Sequence, residues 1–143
     1  RGCGITGIAF TSERILNENT FYKNQGFRCL NKPSKLSSEI SATIVWSVLD
    51  NYTNIPLIWN IFPFHPHDTS KKKSNRTPTE TELELGKVYL NLLLKIFNID
   101  NIIALGRKPE SKLKGFGYHY GYIRHPANGG KNKFVNGLKE VLK

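Results

Sequence analysis

Three short apolar runs alternate with stretches of helical period, and this alternation restricts the possible folds more than any other feature of the chain. The runs are Ile55 to Asn60, Asn101 to Leu105 and Tyr118 to Ile123. Each has the length of a strand rather than a helix, and the segments between them repeat their apolar residues at helical spacing. Strands joined through helices pair in parallel with right-handed crossovers, so the order predicts an α/β fold.

The helical segments carry their own signals. Ser37 or Ser38 can cap a helix whose apolar positions are Ile40, Ile44, Val45, Val48 and Leu49. Thr79-Glu80-Thr81-Glu82 behind Pro78 forms a capping box, and Leu83, Val88, Tyr89, Leu92, Leu93, Ile96 and Phe97 are the expected buried face of the long helix that follows. A loop and a short helix around Pro109 to Lys114 lead to the last strand. Gly129-Gly130 then opens a C-terminal helix that presents Phe134, Val135, Leu138, Val141 and Leu142.

Arg1 to Gly7 is Gly-rich and reads as mid-loop, whereas an α/β domain usually opens with a strand that becomes central. The expectation is therefore a single domain over residues 1–143, a three-layer α/β/α sandwich. Its central, mainly parallel sheet would have about four strands, and its first strand would lie upstream of Arg1.

Composition narrows the function classes. With 143 residues, 38% hydrophobic and 22% charged, the chain can bury one core and is too apolar for a disordered segment. Lys and Arg number 21 against 11 acids, and the resulting charge of +10 favours a polyanionic partner, nucleic acid before membrane. Residues 107 to 143 hold nine Lys or Arg against Glu110 and Glu140, so the C-terminal quarter is the expected phosphate-facing region. Lys71-Lys72-Lys73 is a second basic cluster in a stretch that reads as loop. Cys3 and Cys29 are too few for a zinc ribbon, an iron–sulfur cluster or a disulfide scaffold. No apolar run reaches the roughly 18 residues of a membrane span, and no signal-peptide pattern opens the chain. A cytoplasmic, monomeric protein without a membrane partner is expected.

Asn60 and His125 each close an apolar run and open a Pro-containing loop, Ile-Phe-Pro-Phe-His-Pro after the first and Pro-Ala-Asn-Gly-Gly after the second. Ligands of open parallel α/β sheets bind outside the carboxyl ends of the strands. An amide and an imidazole at two such ends suit one flat heterocycle, the amide sorting its edge and the imidazole meeting its charge.

Five ordered segments carry a resemblance: Gly7-Ile-Ala-Phe10-Thr-Ser, Trp59-Asn60, Ser74-Asn75-Arg76-Thr77-Pro78-Thr79, Ala104-Leu-Gly106 and Arg124-His125-Pro126-Ala127. Together they resemble the uracil-DNA glycosylase superfamily over nearly the whole chain. The resemblance implies that Phe10 stacks on a flipped base, that Asn60 reads the pyrimidine edge, and that His125 donates toward the base O2 as the glycosidic bond breaks. It places the water-directing residue in a Gly-rich motif before Arg1. The iron–sulfur members share the Asn-Arg-x-Pro segment, but four cysteines are absent here, so a cluster-free member is implied, with no cofactor and no metal. The implied partner is DNA containing uracil or another deaminated base, in base excision repair.

The chemistry agrees with those positions. A base inside a duplex cannot be hydrolysed, so it is flipped at a cost of a few kcal/mol, and stacking on an aromatic ring returns about 1–3 kcal/mol. The Asn60 amide can donate to uracil O4 and accept from N3–H, whereas cytosine shows the reverse pattern; such a bidentate pair discriminates by about 1–3 kcal/mol. His125, with the helix N-terminus after Gly129, stands where negative charge develops on the departing base. Arg76, Arg124, Asn128, Gly129, Gly130 and Lys131 are the expected DNA contacts, the glycines permitting close backbone approach. No large apolar wedge is visible in that loop to fill the gap a flipped base leaves.

Other readings stay open. Phe10 can be a core aromatic, Asn60 a turn cap, His125 a turn residue, and Arg76 either a phosphate contact or a loop brace. Glu13 either orients water or braces its loop. His65-x-His67-Asp68 lacks a third ligand at zinc spacing. The alternative function is a non-catalytic nucleic-acid-binding module of the same fold.

Overall fold

The structure is a computed structural model that describes residues 5–30, 34–71 and 74–142. Cys3, Lys72, Lys73 and Lys143 lie outside the described residues. The chain divides into two compact units, one formed by residues up to Trp59 with His67–Asn75, the other by Asn60–Pro66 with Arg76 onward.

The N-terminal unit is helical. It contains α1 (Glu13–Glu18), α2 (Thr20–Asn24) and α3 (Ile40–Leu49). Ser12 caps α1 by accepting from the Ile15 N–H, and Asn19 caps α2 while its Nδ2 donates to Asp50 Oδ1 at 2.7 Å. α3 buries Ala42, Val45, Trp46, Val48 and Leu49, which includes three of its expected apolar positions; Ile40 is 79% exposed. Neither Ser37 nor Ser38 caps this helix, whose N-cap is Glu39 without a side-chain bond. Ser37 is already committed to α1, its N–H donating to Glu13 Oε2 and its carbonyl accepting from the Arg14 N–H. Trp46 is the centre of the core, with ring centroids 4.7 Å from Tyr22 and 5.5 Å from Phe21.

The C-terminal unit is mixed α/β. Its elements run α4 (Glu80–Ile96), β1 (Ile103–Leu105), α5 (Arg107–Gly115), β2 (Gly121–Ile123) and α6 (Lys131–Val141). The strands pair in parallel with Ala104 opposite Tyr122. The capping box is present as expected, with Thr79 and Glu82 bonding reciprocally. Pro109 falls in the first turn of α5, where its missing N–H costs nothing.

Side-chain alternation places α4 and α5 on one face of the strands and α6 on the other. Ala104 clusters with Leu90 of α4 and Leu113 of α5, with Ile61, Leu94 and Ile102 packed against them. Ile123, on the opposite face in this register, meets Gly137 of α6. Phe134 and Leu138 are the buried residues of α6, while Val141 is 48% exposed. Lys112 Nζ reaches Glu80 at 2.7 Å, tying α5 to the start of α4.

Two further expectations change. Ile55 to Asn60 belongs to no strand among the described residues. Pro56 has no N–H for a ladder, and Leu57 and Trp59 are exposed, so the run is not a buried strand in this structure. The inward face of α4 is Leu83, Gly86 and Leu90, whereas Val88, Tyr89, Leu92, Ile96 and Phe97 are exposed. The cause is Gly86. Glycine in a helix interior costs about 1 kcal/mol relative to alanine, but here it lets the backbone of Ile61 and Phe62 lie directly on the helix, which turns that side inward.

Trp46→Ala should destabilise the N-terminal unit by about 3–5 kcal/mol, the usual cost of deleting a large buried ring. Urea unfolding followed by circular dichroism measures this; a change below about 1 kcal/mol would show that the ring does not organise this core.

Candidate functional site

β1 and β2 run in the same direction, so their carboxyl ends open together at Gly106 and at Arg124-His125. Gly106 continues the ladder by donating to the Ile123 carbonyl at 2.8 Å and also caps α5. Its backbone has φ 93° and ψ 170°, a region only glycine occupies easily. A Cβ there would stand 2.9 Å from the Cβ of His125 and 3.6 Å from its Cγ. The end of β1 is therefore a flat seat for the histidine. Gly130 holds the other side of the same residue, since a Cβ at Gly130 would collide with the His125 carbonyl oxygen.

The imidazole is oriented as well as seated. The Ala127 N–H donates to His125 Nδ1 at 3.1 Å. A backbone N–H can only donate, so Nδ1 is the acceptor, and the neutral ring carries its proton on Nε2. Pro126 is buried between the two bonded residues and stiffens the turn. The loop continues through Asn128 at φ 53° and Gly129 at φ 73°, both exposed. Arg124 Nη2 lies 3.5 Å from the Asn128 carbonyl, and exposed Lys131 opens α6.

Asn60 lies in the same unit as His125. The next residue, Ile61, packs against the cluster of Leu90, Ala104 and Leu113, which anchors Asn60 by its backbone. The half-buried Asn60 carboxamide makes no hydrogen bond among the described residues, so its donor and acceptor are uncommitted. Asn60 is thus followed by a residue packed against the β1–β2 pair, and His125 follows β2 itself.

Arg76 is a brace in this structure. Its two terminal nitrogens donate to the two carboxylate oxygens of Glu82 at 2.7 Å each, a bidentate pair that holds the Asn75-Arg76-Thr77 loop on the start of α4. Of the two readings open for Arg76, this arrangement supports the structural one.

Phe10 belongs to the N-terminal unit. Its backbone has φ 48°, an uncommon left-handed conformation for an aromatic residue. Neighbouring groups hold it there. The Phe10 carbonyl accepts from Trp46 Nε1 at 3.2 Å, and Ala9, Thr11 and Ser12 around it are buried. Thr11 Oγ1 shares a 2.8 Å hydrogen bond with the Tyr22 hydroxyl. Phe10 itself is half-buried.

Glu13 also serves as a brace. Its carboxylate accepts the Ser37 N–H at 2.9 Å, and that bond lowers its pKa. The Cys29 thiol donates to the Glu13 carbonyl, and burial followed by the Glu13 charge pushes it up, away from reactivity. Among the described residues no group of three His, Cys, Asp or Glu side chains could hold a metal ion.

Gly86 and Gly106 are contributors that sequence reasoning did not identify as such. Gly106 was visible only within the Ala104-Leu-Gly106 segment. Gly86 carried a signal, an isolated glycine inside a strong helical pattern, which often marks a close packing contact. Neither family models, curated proteins nor solved structures give a match to the chain.

The Arg76–Glu82 brace leads to a pH expectation. The hydrogen bond from Arg76, and after it that from the Thr79 N–H, holds the Glu82 carboxyl at about 2 against an ordinary 4.5. A carboxyl depressed in the fold contributes stability above its unfolded value and loses it as pH falls toward the folded one. Wild type should therefore be more stable than Glu82→Gln at neutral pH, and the gap should close between pH 4.5 and about 2. Thermal melts across that window measure it; a gap independent of pH would contradict the brace.

Proposed function

We propose that the chain is a monofunctional DNA glycosylase of the uracil-DNA glycosylase superfamily, acting on uracil or a related deaminated base in DNA. The observation that carries this reading is His125, seated on Gly106 and set by the Ala127 N–H so that its neutral ring presents an Nε2 proton. A neutral donor held in place in advance suits an oxygen that becomes negative only as a bond breaks.

In the proposed reaction the C1′–N1 bond of the nucleotide breaks and its electron pair leaves with the pyrimidine. His125 Nε2 donates a hydrogen bond to the base O2, where much of that charge gathers. Water adds to C1′, and the proton it loses passes by way of solvent to the departing base anion, leaving an abasic site and the neutral free base. Asn60 donates to O4 and accepts from N3–H. Its carboxamide, without a hydrogen bond among the described residues, supports this role. Phe10 keeps the stacking role implied by the resemblance, supported by a strained backbone held through Trp46.

Arg124, Asn128, Gly129, Gly130 and Lys131 are the proposed backbone contacts, with the exposure of Asn128, Gly129 and Lys131 in favour. Arg76 supports them through its loop. The same reading extends β1 and β2 to a mainly parallel sheet of about four strands in a three-layer sandwich. Its support is that β1 is paired along one edge only among the described residues. The commitment of Glu13 to Ser37 favours a second reading, a binding module without catalysis, because the carboxylate nearest Phe10 in sequence is then not free to direct water.

An oligonucleotide containing uracil, incubated with the protein and then treated with alkali, separates the two readings. Strand breaks are expected. Asn60→Ala and His125→Ala should each lower the rate on the order of a hundredfold, as for other preorganised donors, with DNA binding retained. Intact strands at high protein concentration would reject the glycosylase reading, and retained binding in that case would establish the binding module.

A further inference from the structure

We infer that Gly86 is a positioning residue for Asn60, setting through the Ile61 backbone where the carboxamide meets the base. The inference rests on the glycosylase reading of Asn60. Gly86 is buried in the interior of α4, where no turn or left-handed backbone requires a glycine. What requires it is a crossing of main chains. A Cβ at Gly86 would collide with the Ile61 carbonyl oxygen, and it would stand 3.2 Å from the Ile61 carbonyl carbon and 3.3 Å from Phe62 Cα. All three are backbone atoms, which cannot turn aside as the end of a side chain can.

The crossing segment is also held by its side chains. Ile61 packs against the cluster of Leu90, Ala104 and Leu113. Phe62 is buried and its ring meets Phe64 edge-on at 5.5 Å, while Phe64 meets Tyr89 of α4 at 5.3 Å. A methyl group at position 86 would therefore shift the segment rather than settle into a gap. Asn60 is the residue next to Ile61, and its carboxamide makes no hydrogen bond among the described residues. Its location follows the backbone of this segment. A bidentate reading tolerates misplacement of only about 0.5 Å, so the effect should fall on base reading before it falls on DNA affinity.

The test is a double-mutant cycle with Gly86→Ala and Asn60→Ala, read as kcat/KM on the uracil oligonucleotide. Gly115→Ala serves as the control, because a Cβ at Gly115 meets nothing within 4 Å. Gly86→Ala is expected to lower kcat/KM on the order of tenfold to a hundredfold, with affinity for undamaged DNA unchanged and Gly115→Ala fully active. In the Asn60→Ala background the same substitution should cause almost no further loss, because its target is already gone. An equal loss in both backgrounds overturns the inference, as does a fully active Gly86→Ala. Loss of the folded circular-dichroism signal in Gly86→Ala also counts against it, since the glycine would then serve the whole fold. An inactive wild type overturns the glycosylase reading and this inference with it, whereas an active wild type with an unaffected variant overturns this inference alone.

Discussion

Where β1 ends, Gly106 takes up a backbone conformation that other residues avoid, and the Cβ of His125 occupies the space a side chain there would need. The rest of the site depends on that contact. It joins the two strands at their carboxyl ends, through the hydrogen bond from Gly106 to Ile123, and it starts α5. With Gly130 against the His125 carbonyl, the loop from Arg124 to Lys131 is held at both ends by residues without side chains. Close packing of this kind leaves little room for alternative positions of His125.

The polar groups divide into those committed to structure and those left for chemistry. Arg76 and Glu82 satisfy one another, Glu13 serves Ser37, and Trp46 Nε1 serves the Phe10 carbonyl. His125 Nδ1 accepts from the Ala127 N–H, which fixes the tautomer of the ring. Asn60 commits nothing among the described residues. The basic surplus of the C-terminal quarter lies along the same loop and the helices on either side of it, where it can act on a polyanion over distances near the Debye length, about 8–10 Å.

Much of this was legible in the sequence, for reasons that differ by residue. The capping box at Thr79 was readable because it is local, two side chains and two backbone groups within one turn. The positions of β1 and β2 were readable from apolar runs ending at Gly106 and at Arg124, although only three residues of each run form the ladder. The orientation of α4 was not readable. Its apolar residues cover more than one face, and the choice between faces came from a backbone crossing at Gly86 that no periodicity reports. Ser37 was misjudged as a possible cap because its backbone partner, Glu13, lies 24 residues away. The brace between Arg76 and Glu82 is sequence-local, yet the sequence left it open, since an arginine beside a proline loop serves a phosphate or a carboxylate equally well.

The proposed function requires Asn60 and His125 to meet one base. A crystal structure of the protein with an oligonucleotide bearing a non-hydrolysable deoxyuridine analogue tests this most directly. The account expects a flipped uracil with O2 at hydrogen-bond distance from His125 Nε2, and with O4 and N3–H on the Asn60 carboxamide. A uracil left stacked in the duplex, or one bound away from both side chains, would contradict it.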